Sequence, residues 1–294
     1  MLSGVGIVCF AGSYTVALLL ELTRLLFRSA IRGVVMLGFA GAGFFAHSVY
    51  LYYQAISAKG LPLSTEQNWY LLAAWLLAGA YLYLTYYHPK TSFGLFLLPL
   101  VLALVATAFF LADSKDFARE PASRAWGIVH GISILLATVA VFVEFVAGLM
   151  YLRQAWRLKH KLPLGEGLRL PSLEWLHRVS TRTLVVAVLM LGIGVIAGAV
   201  LILIRGPDEG GRLAWTDPFI VSTLAMFLWL AGSLVFAAFY KPLRQGPKMA
   251  YLTLVSFVLL VTALCVGLFV RHDHGGNRAR SPQKPTSAVF RPGD

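Results

Sequence analysis

Charge and thiols are scarce in this chain. Charged residues make up 13% of it, against roughly 25% in an ordinary soluble domain, which excludes a soluble core with a hydrated surface. The two cysteines, Cys9 and Cys265, lie alone in different apolar runs, and the sequence contains no Cys-x-x-Cys pair. A transmembrane carrier of reducing equivalents works by thiol exchange within such a pair, so the chain does not itself reduce disulfides. Also missing are a serine set beside a base, a phosphate-cradling glycine loop and metallohydrolase ligand spacing, which excludes the usual hydrolytic chemistries. No Lys or Arg precedes the first apolar run, whereas Arg24, Arg28 and Arg32 follow it. A cleavable signal has the opposite charge order, and the run is expected to stay as the first crossing.

What the chain does have is apolar length. Hydrophobic residues reach 58% and gather into eight runs, at residues 2–22, 34–56, 69–87, 93–112, 127–152, 183–204, 218–240 and 250–270. A helix needs ~20 apolar residues to cross ~30 Å of hydrocarbon. In lipid the backbone must pair within its own segment, and these runs are too long for barrel strands. The expected fold is an all-α integral membrane bundle of eight transmembrane helices, one domain over residues 1–270. The polar, basic tail at 271–294, rich in Gly, Pro, Ser and Arg, is expected to be disordered.

Orientation follows from Lys and Arg in alternate connections. The first, third, fifth and seventh connections hold fourteen basic residues, while the three between them hold six basic and seven acidic ones. Both termini are therefore expected outside. The tail, with Arg271, Arg278, Arg280, Lys284 and Arg291, pulls weakly the other way, but a last tail can be carried across despite its charge. The net charge of +12 then reads as an orientation signal and an attraction to anionic membrane lipid, not as nucleic-acid binding.

The longest interior connection, residues 153–182, combines the basic run Arg157-Leu158-Lys159-His160-Lys161 with Leu-Pro-Ser-Leu-Glu-Trp-Leu-His-Arg at 170–178. Ser172 is placed to cap a short helix, with Glu174 favoured in its first turn. Trp156 and Trp175 are expected at headgroup level.

Polar residues at membrane depth are costly and mark candidate sites. His47 lies near the middle of the second run; a neutral imidazole there ligates iron, passes a proton, or packs with a hydrogen bond to a neighbouring helix. His130 lies near the outer end of the fifth run, and Glu144 follows fourteen residues later. That spacing is close to four turns of ~3.6 residues, so both face nearly the same way. Glu144 either lines an internal cavity with His130 or is a protonated acid bonded to a helix neighbour. His272 and His274 follow the eighth run and are expected on the same outer surface as His130. Two imidazoles on different helices hold a haem iron from opposite faces; a solvated His-x-His pair is the simpler alternative. Arg212-Leu213-Ala214-Trp215-Thr216-Asp217-Pro218 opens the seventh run, Trp215 offering a flat face and Asp217 a helix cap.

The order of these features resembles the membrane proteins of cytochrome c assembly, the haem-handling group with CcsA-like, HemX-like and YpjD-like members. The resemblance spans roughly residues 44–275. It rests on His47 and its aromatic-rich helix end, Leu61-Pro62-Leu63-Ser64 leading to Trp75, and His130 opening the fifth run. It rests further on Leu170-Pro171-Ser172-Leu173-Glu174 with Arg178 before Gly192, Gly194 and Gly198, on Trp215-Asp217-Pro218, and on His272 before Gly275. The Leu-Pro-Ser-Leu-Glu segment is the most specific of these.

The likeness implies haem handling at the outer face of the plasma (inner) membrane, within a complex of cytochrome c assembly subunits that delivers transiently bound haem to apocytochrome c. It implies His130 and His272 as axial ligands of the iron, His47 as a relay at membrane depth, and Trp215 with Asp217 as the remnant of a tryptophan-rich loop. Here Phe219-Ile220-Val221 follow the Asp-Pro step, where fuller members carry polar residues, so the loop is reduced. At most the chain is a component of a haem-ligating synthase and not an autonomous enzyme. Two other readings stand beside this one. A HemX-like regulator would act on a haem-biosynthesis enzyme through its interior loops, and a transporter would depend on Glu144 and His47 without bound haem.

Overall fold

The computed structural model describes residues 6–23, 30–57, 65–89, 91–112, 121–161, 170–205, 218–239 and 247–278. They form helices α1 (Ile7–Thr23), α2 (Ala30–Ser57), α3 (Glu66–Tyr87), α4 (Gly94–Phe110), α5 (Pro121–Lys159), α6 (Leu173–Arg205), α7 (Pro218–Phe239) and α8 (Pro247–Arg278). Among the described residues no strand occurs. Six helices, α2, α3 and α5 to α8, are long and apolar enough to cross a membrane, while α1 and α4 are shorter apolar helices. The protein is thus an all-helical chain of multi-pass membrane type. Its outward side chains fit that solvent: Val34, Phe45, Ile196, Leu203 and Phe239 are all exposed, an arrangement that water would penalise and lipid tails do not.

Neighbour relations sort the helices into two groups of four. α1 packs on α2, α2 on α3, α3 on α4 and α4 back on α1; α5 to α8 repeat the same closed order. The sequence carries no visible repeat, so this arrangement resides in helix order and not in residue identity. α5 joins the groups through α3 and α4. Each group contains an indole-to-hydroxyl bond between helices: Trp75 Nε1 donates to Ser48 Oγ at 2.8 Å, and Trp229 Nε1 to Ser256 Oγ at 3.2 Å.

Close approach depends on small residues, since lipid supplies no hydrophobic drive between helices. Ala74, Ala78 and Ala40 are fully buried in the first group, and Gly43 sits against Ser13 and Tyr14. In the second group Gly194 receives Ile134, and Gly148 lies so near Thr253 that a β-carbon there would collide with the hydroxyl.

Two ends differ from the expected ones. The Ser172 cap does not start a separate interfacial helix; Ser172 Oγ accepts from Trp175 N at 3.3 Å and opens α6 itself, ten residues before the apolar run begins. Trp175 packs on His88 and Phe93, which fixes it to the body of the protein. At the other end α8 continues as helix to Arg278, past the last apolar residue at 270. α5, with 39 residues, and α6, with 33, are about 58 and 50 Å long at ~1.5 Å per residue. Both outrun a hydrocarbon layer of ~30 Å. Residues 153–159 of α5 and 173–182 of α6 therefore form a basic helical hairpin at one end of the bundle. α5 stops where Lys161 takes a left-handed φ of 51°, with Lys161 N bonded to Leu158 O at 3.1 Å.

Candidate functional site

The seat of His130 is built by two helices. α5 carries the ring, and α6 offers glycines at 194 and 198, one turn apart. Nδ1 of His130 lies 2.7 Å from the carbonyl oxygen of Gly194. A carbonyl only accepts, so Nδ1 is the donor here, and the tautomer that fits this contact has its lone pair on Nε2. Metal-bound histidines are commonly set in this way, the second nitrogen donating to a backbone carbonyl. Gly198 leaves the ring its space, because a β-carbon there would stand 3.1 Å from both Cε1 and Nδ1. Beside it, Gly131 takes the Trp69 indole from α3. His130 is half-buried, so the group is held without being closed in.

The register of α5 against α8 places the second histidine. Phe145 stacks on Phe257 at 3.7 Å and 11°, and Gly148 meets Thr253. The two helices run antiparallel, and counting outward from either contact brings position 130 level with 271 or 272 at equal rise per residue. His272 thus lies on the α8 backbone at the depth of His130. His274 follows on the same last turns of α8. Trp215 and Asp217 lie outside the described residues, as do Leu61 to Ser64 of the second connection.

His47 stands in the other group and is not brought to His130. It is fully buried, with Phe10 stacked flat on its ring at 4.1 Å and 2°. The Tyr14 hydroxyl lies 3.4 Å from Nδ1, and Nε2 has no hydrogen-bond partner in the structure. An orphaned buried nitrogen calls for an explanation, and an ordered water or a ligand atom would satisfy it. Phe10 and Tyr14 leave no open face for a macrocycle in this packing.

Glu144 shares the His130 side of α5, as their spacing requires, and is 2% exposed. Its Oε2 makes no hydrogen bond in the structure. Among the described residues no three His, Cys, Asp or Glu side chains gather into a metal cage, and bis-imidazole ligation of haem requires only two imidazoles.

Sequence reasoning did not single out Trp69, Phe10 or Tyr14, whose roles come from helices distant in the chain. Gly194 and Gly198 did carry a signal, small residues four apart in an apolar run, but nothing in the sequence tied them to His130. A small pocket between α5, α6 and α8 was likewise missed; it is lined by Ala147, Gly148, Tyr151, Leu176, His177, Ser180, Met249 and Ala250. No protein-family model, curated protein or solved structure matches the chain, so the site stands on its own geometry.

Proposed function

We propose that this chain handles haem during c-type cytochrome maturation, as a plasma-membrane protein with eight crossings and both termini on the outer face. The observation that carries the reading is the contact of His130 Nδ1 with the Gly194 carbonyl. At 2.7 Å this contact commits Nδ1, so a neutral ring offers the Nε2 lone pair that iron takes. The level of His272 on the α8 backbone supports it as the second residue that would hold the iron. Haem would supply the iron and the vinyl carbons to which apocytochrome thiols add. The protein's part is to orient one imidazole through α6 glycines, to bring a second to the same depth, and to shield the group between helices. His47 takes a relay role in this scheme, its Nε2 awaiting a partner, and Trp215 with Asp217 would complete the outer loop.

The test is the visible spectrum of protein purified in mild detergent, oxidised and then reduced, with His130→Ala beside it. Sharp low-spin bands lost in the variant are expected. A normal spectrum in the His130→Ala/His272→Ala double variant would sink the ligand assignment.

A second reading is favoured by the basic hairpin at residues 153–159 and 173–182, which extends beyond the apolar band. A regulator of a haem-biosynthesis enzyme would present such a surface. Protein that stays colourless after haem is supplied, and that loses binding to the soluble enzyme when Lys159 and Lys161 are replaced by Ala, would favour this reading over the first.

A further inference from the structure

Glu144 is the least accounted-for group in the second bundle. An ionised carboxylate buried without a partner is very costly, so such a group is held as the neutral acid unless water or a cation reaches it. One turn along α5 toward the basic end, about 6 Å away, lies Gly148, which lines the pocket between α5, α6 and α8. The place that a β-carbon of Gly148 would take is filled by the Thr253 hydroxyl, so what stands beside Gly148 is a polar group and not an apolar side chain. The pocket has room for about one water molecule, and it is not dry by design. Tyr151, His177 and Ser180 line it, and the Ser180 hydroxyl, 6% exposed, has no hydrogen-bond partner in the structure. A buried hydroxyl of this kind is what an ordered water satisfies.

The depth is right for contact with water. Ile134 packs at Gly194, and Gly148 and Tyr151 share the pocket with Leu176 and His177, so Glu144 is level with residues 182–184 of α6. Arg182 there is exposed, and it marks the edge of the apolar run. Toward the histidine end the same side of α5 is closed by buried Ala137, Ala140 and Val141.

We propose that the Glu144 carboxyl is a proton-binding site that exchanges with water at the basic face alone, through the pocket lined by Gly148, Tyr151, His177 and Ser180. The carboxyl releases its proton to pocket water and recovers it from there. Its surroundings hold few competing groups. α6 brings His177 at the pocket and the exposed Arg182, and α8 has only Tyr251 and Cys265 between 250 and 266. α3 carries only tyrosines in its C-terminal half, Tyr81 among them, and α4 has no titratable side chain. The proposal does not rest on the haem reading.

The experiment uses the full chain in lipid nanodiscs treated with dicyclohexylcarbodiimide, which modifies protonated carboxyls in apolar surroundings, with the adduct located by mass spectrometry across a pH series. Glu21, the other buried carboxyl among the described residues, is the internal comparison and Glu144→Gln the blank. Expected is a Glu144 adduct that forms at low pH and is lost as pH rises. Ser180→Leu, which fills the pocket, is expected to keep the adduct at every pH, because the carboxyl then has no water to take its proton; Ser180→Ala, which leaves the pocket open and removes one partner of its water, should still lose the adduct, at a pH above that of wild type. A wild-type adduct that is independent of pH, or no adduct at any pH, overturns the site. A Ser180→Leu protein that titrates like wild type overturns the route.

Discussion

The contact of Gly148 with Thr253 permits a worked prediction for Gly148→Ala. The new β-carbon would overlap the Thr253 hydroxyl and stand 3.3 Å from Thr253 Cβ. Two responses are open. Thr253 rotates about χ1 and gives up its 2.7 Å bond to Ala250 O, a loss of about 0.5–1.5 kcal/mol. Otherwise α5 and α8 move apart, and overpacking of this kind costs about 1–3 kcal/mol. The expected destabilisation is about 1–3 kcal/mol, where each ~1.4 kcal/mol is tenfold in the folding equilibrium. Thr253→Ala removes the colliding oxygen and leaves a tight 3.3 Å contact between β-carbons that a shift of a few tenths of an ångström relieves, so the double variant Gly148→Ala/Thr253→Ala should recover most of the loss. The assay is reversible unfolding in mixed detergent micelles, followed by far-UV circular dichroism on all four members of the cycle. A Gly148→Ala protein within about 0.5 kcal/mol of wild type, or a double variant whose loss is the sum of the singles, would refute the close α5–α8 approach and the register drawn from it.

Gly198→Val should push His130 from its carbonyl partner, and reduced-minus-oxidised haem spectra are expected to weaken as in His130→Ala while the variant remains folded by gel filtration. Ser172→Ala, which removes the cap of α6, should lower stability by about 1 kcal/mol in the same micelle assay; no change would mean that the packing of Trp175 alone holds that end. Trp75→Phe and Trp229→Phe each lose one interhelical bond of about 0.6 kcal/mol, and being in different helix groups they should add within about 0.3–0.5 kcal/mol. Lys161→Gly should stabilise by about 0.5–1 kcal/mol by relieving the left-handed residue after α5, which a raised unfolding midpoint would register.

Hydropathy reveals where the chain enters lipid, because the requirement for ~20 apolar residues is a property of each segment by itself. It also placed His130 and Glu144 on one side of α5 from their spacing alone. Helix ends were less legible. The apolar run opens at Thr183, yet the helix continues back through Glu174 and Arg178, an exposed pair at 3.7 Å, since backbone pairing and packing against α5 propagate a helix regardless of hydropathy. Neighbourhood was not legible at all. That Phe10 and Tyr14 enclose His47, or that Trp69 covers Gly131, depends on which helices meet. In a bundle of uniformly apolar segments that choice is set by shape, with a few glycines and alanines deciding it.

α5 is an unbroken helix of 39 residues, with no proline after its first position. It touches both groups of four and reaches beyond the apolar band at each end. A rod of that kind acts as a seesaw: a tilt of about 10° around its midpoint shifts each tip by about 5 Å, in opposite directions, for a length of about 58 Å. Whatever grips the basic hairpin would therefore have a mechanical hold on the sideways position and angle of His130.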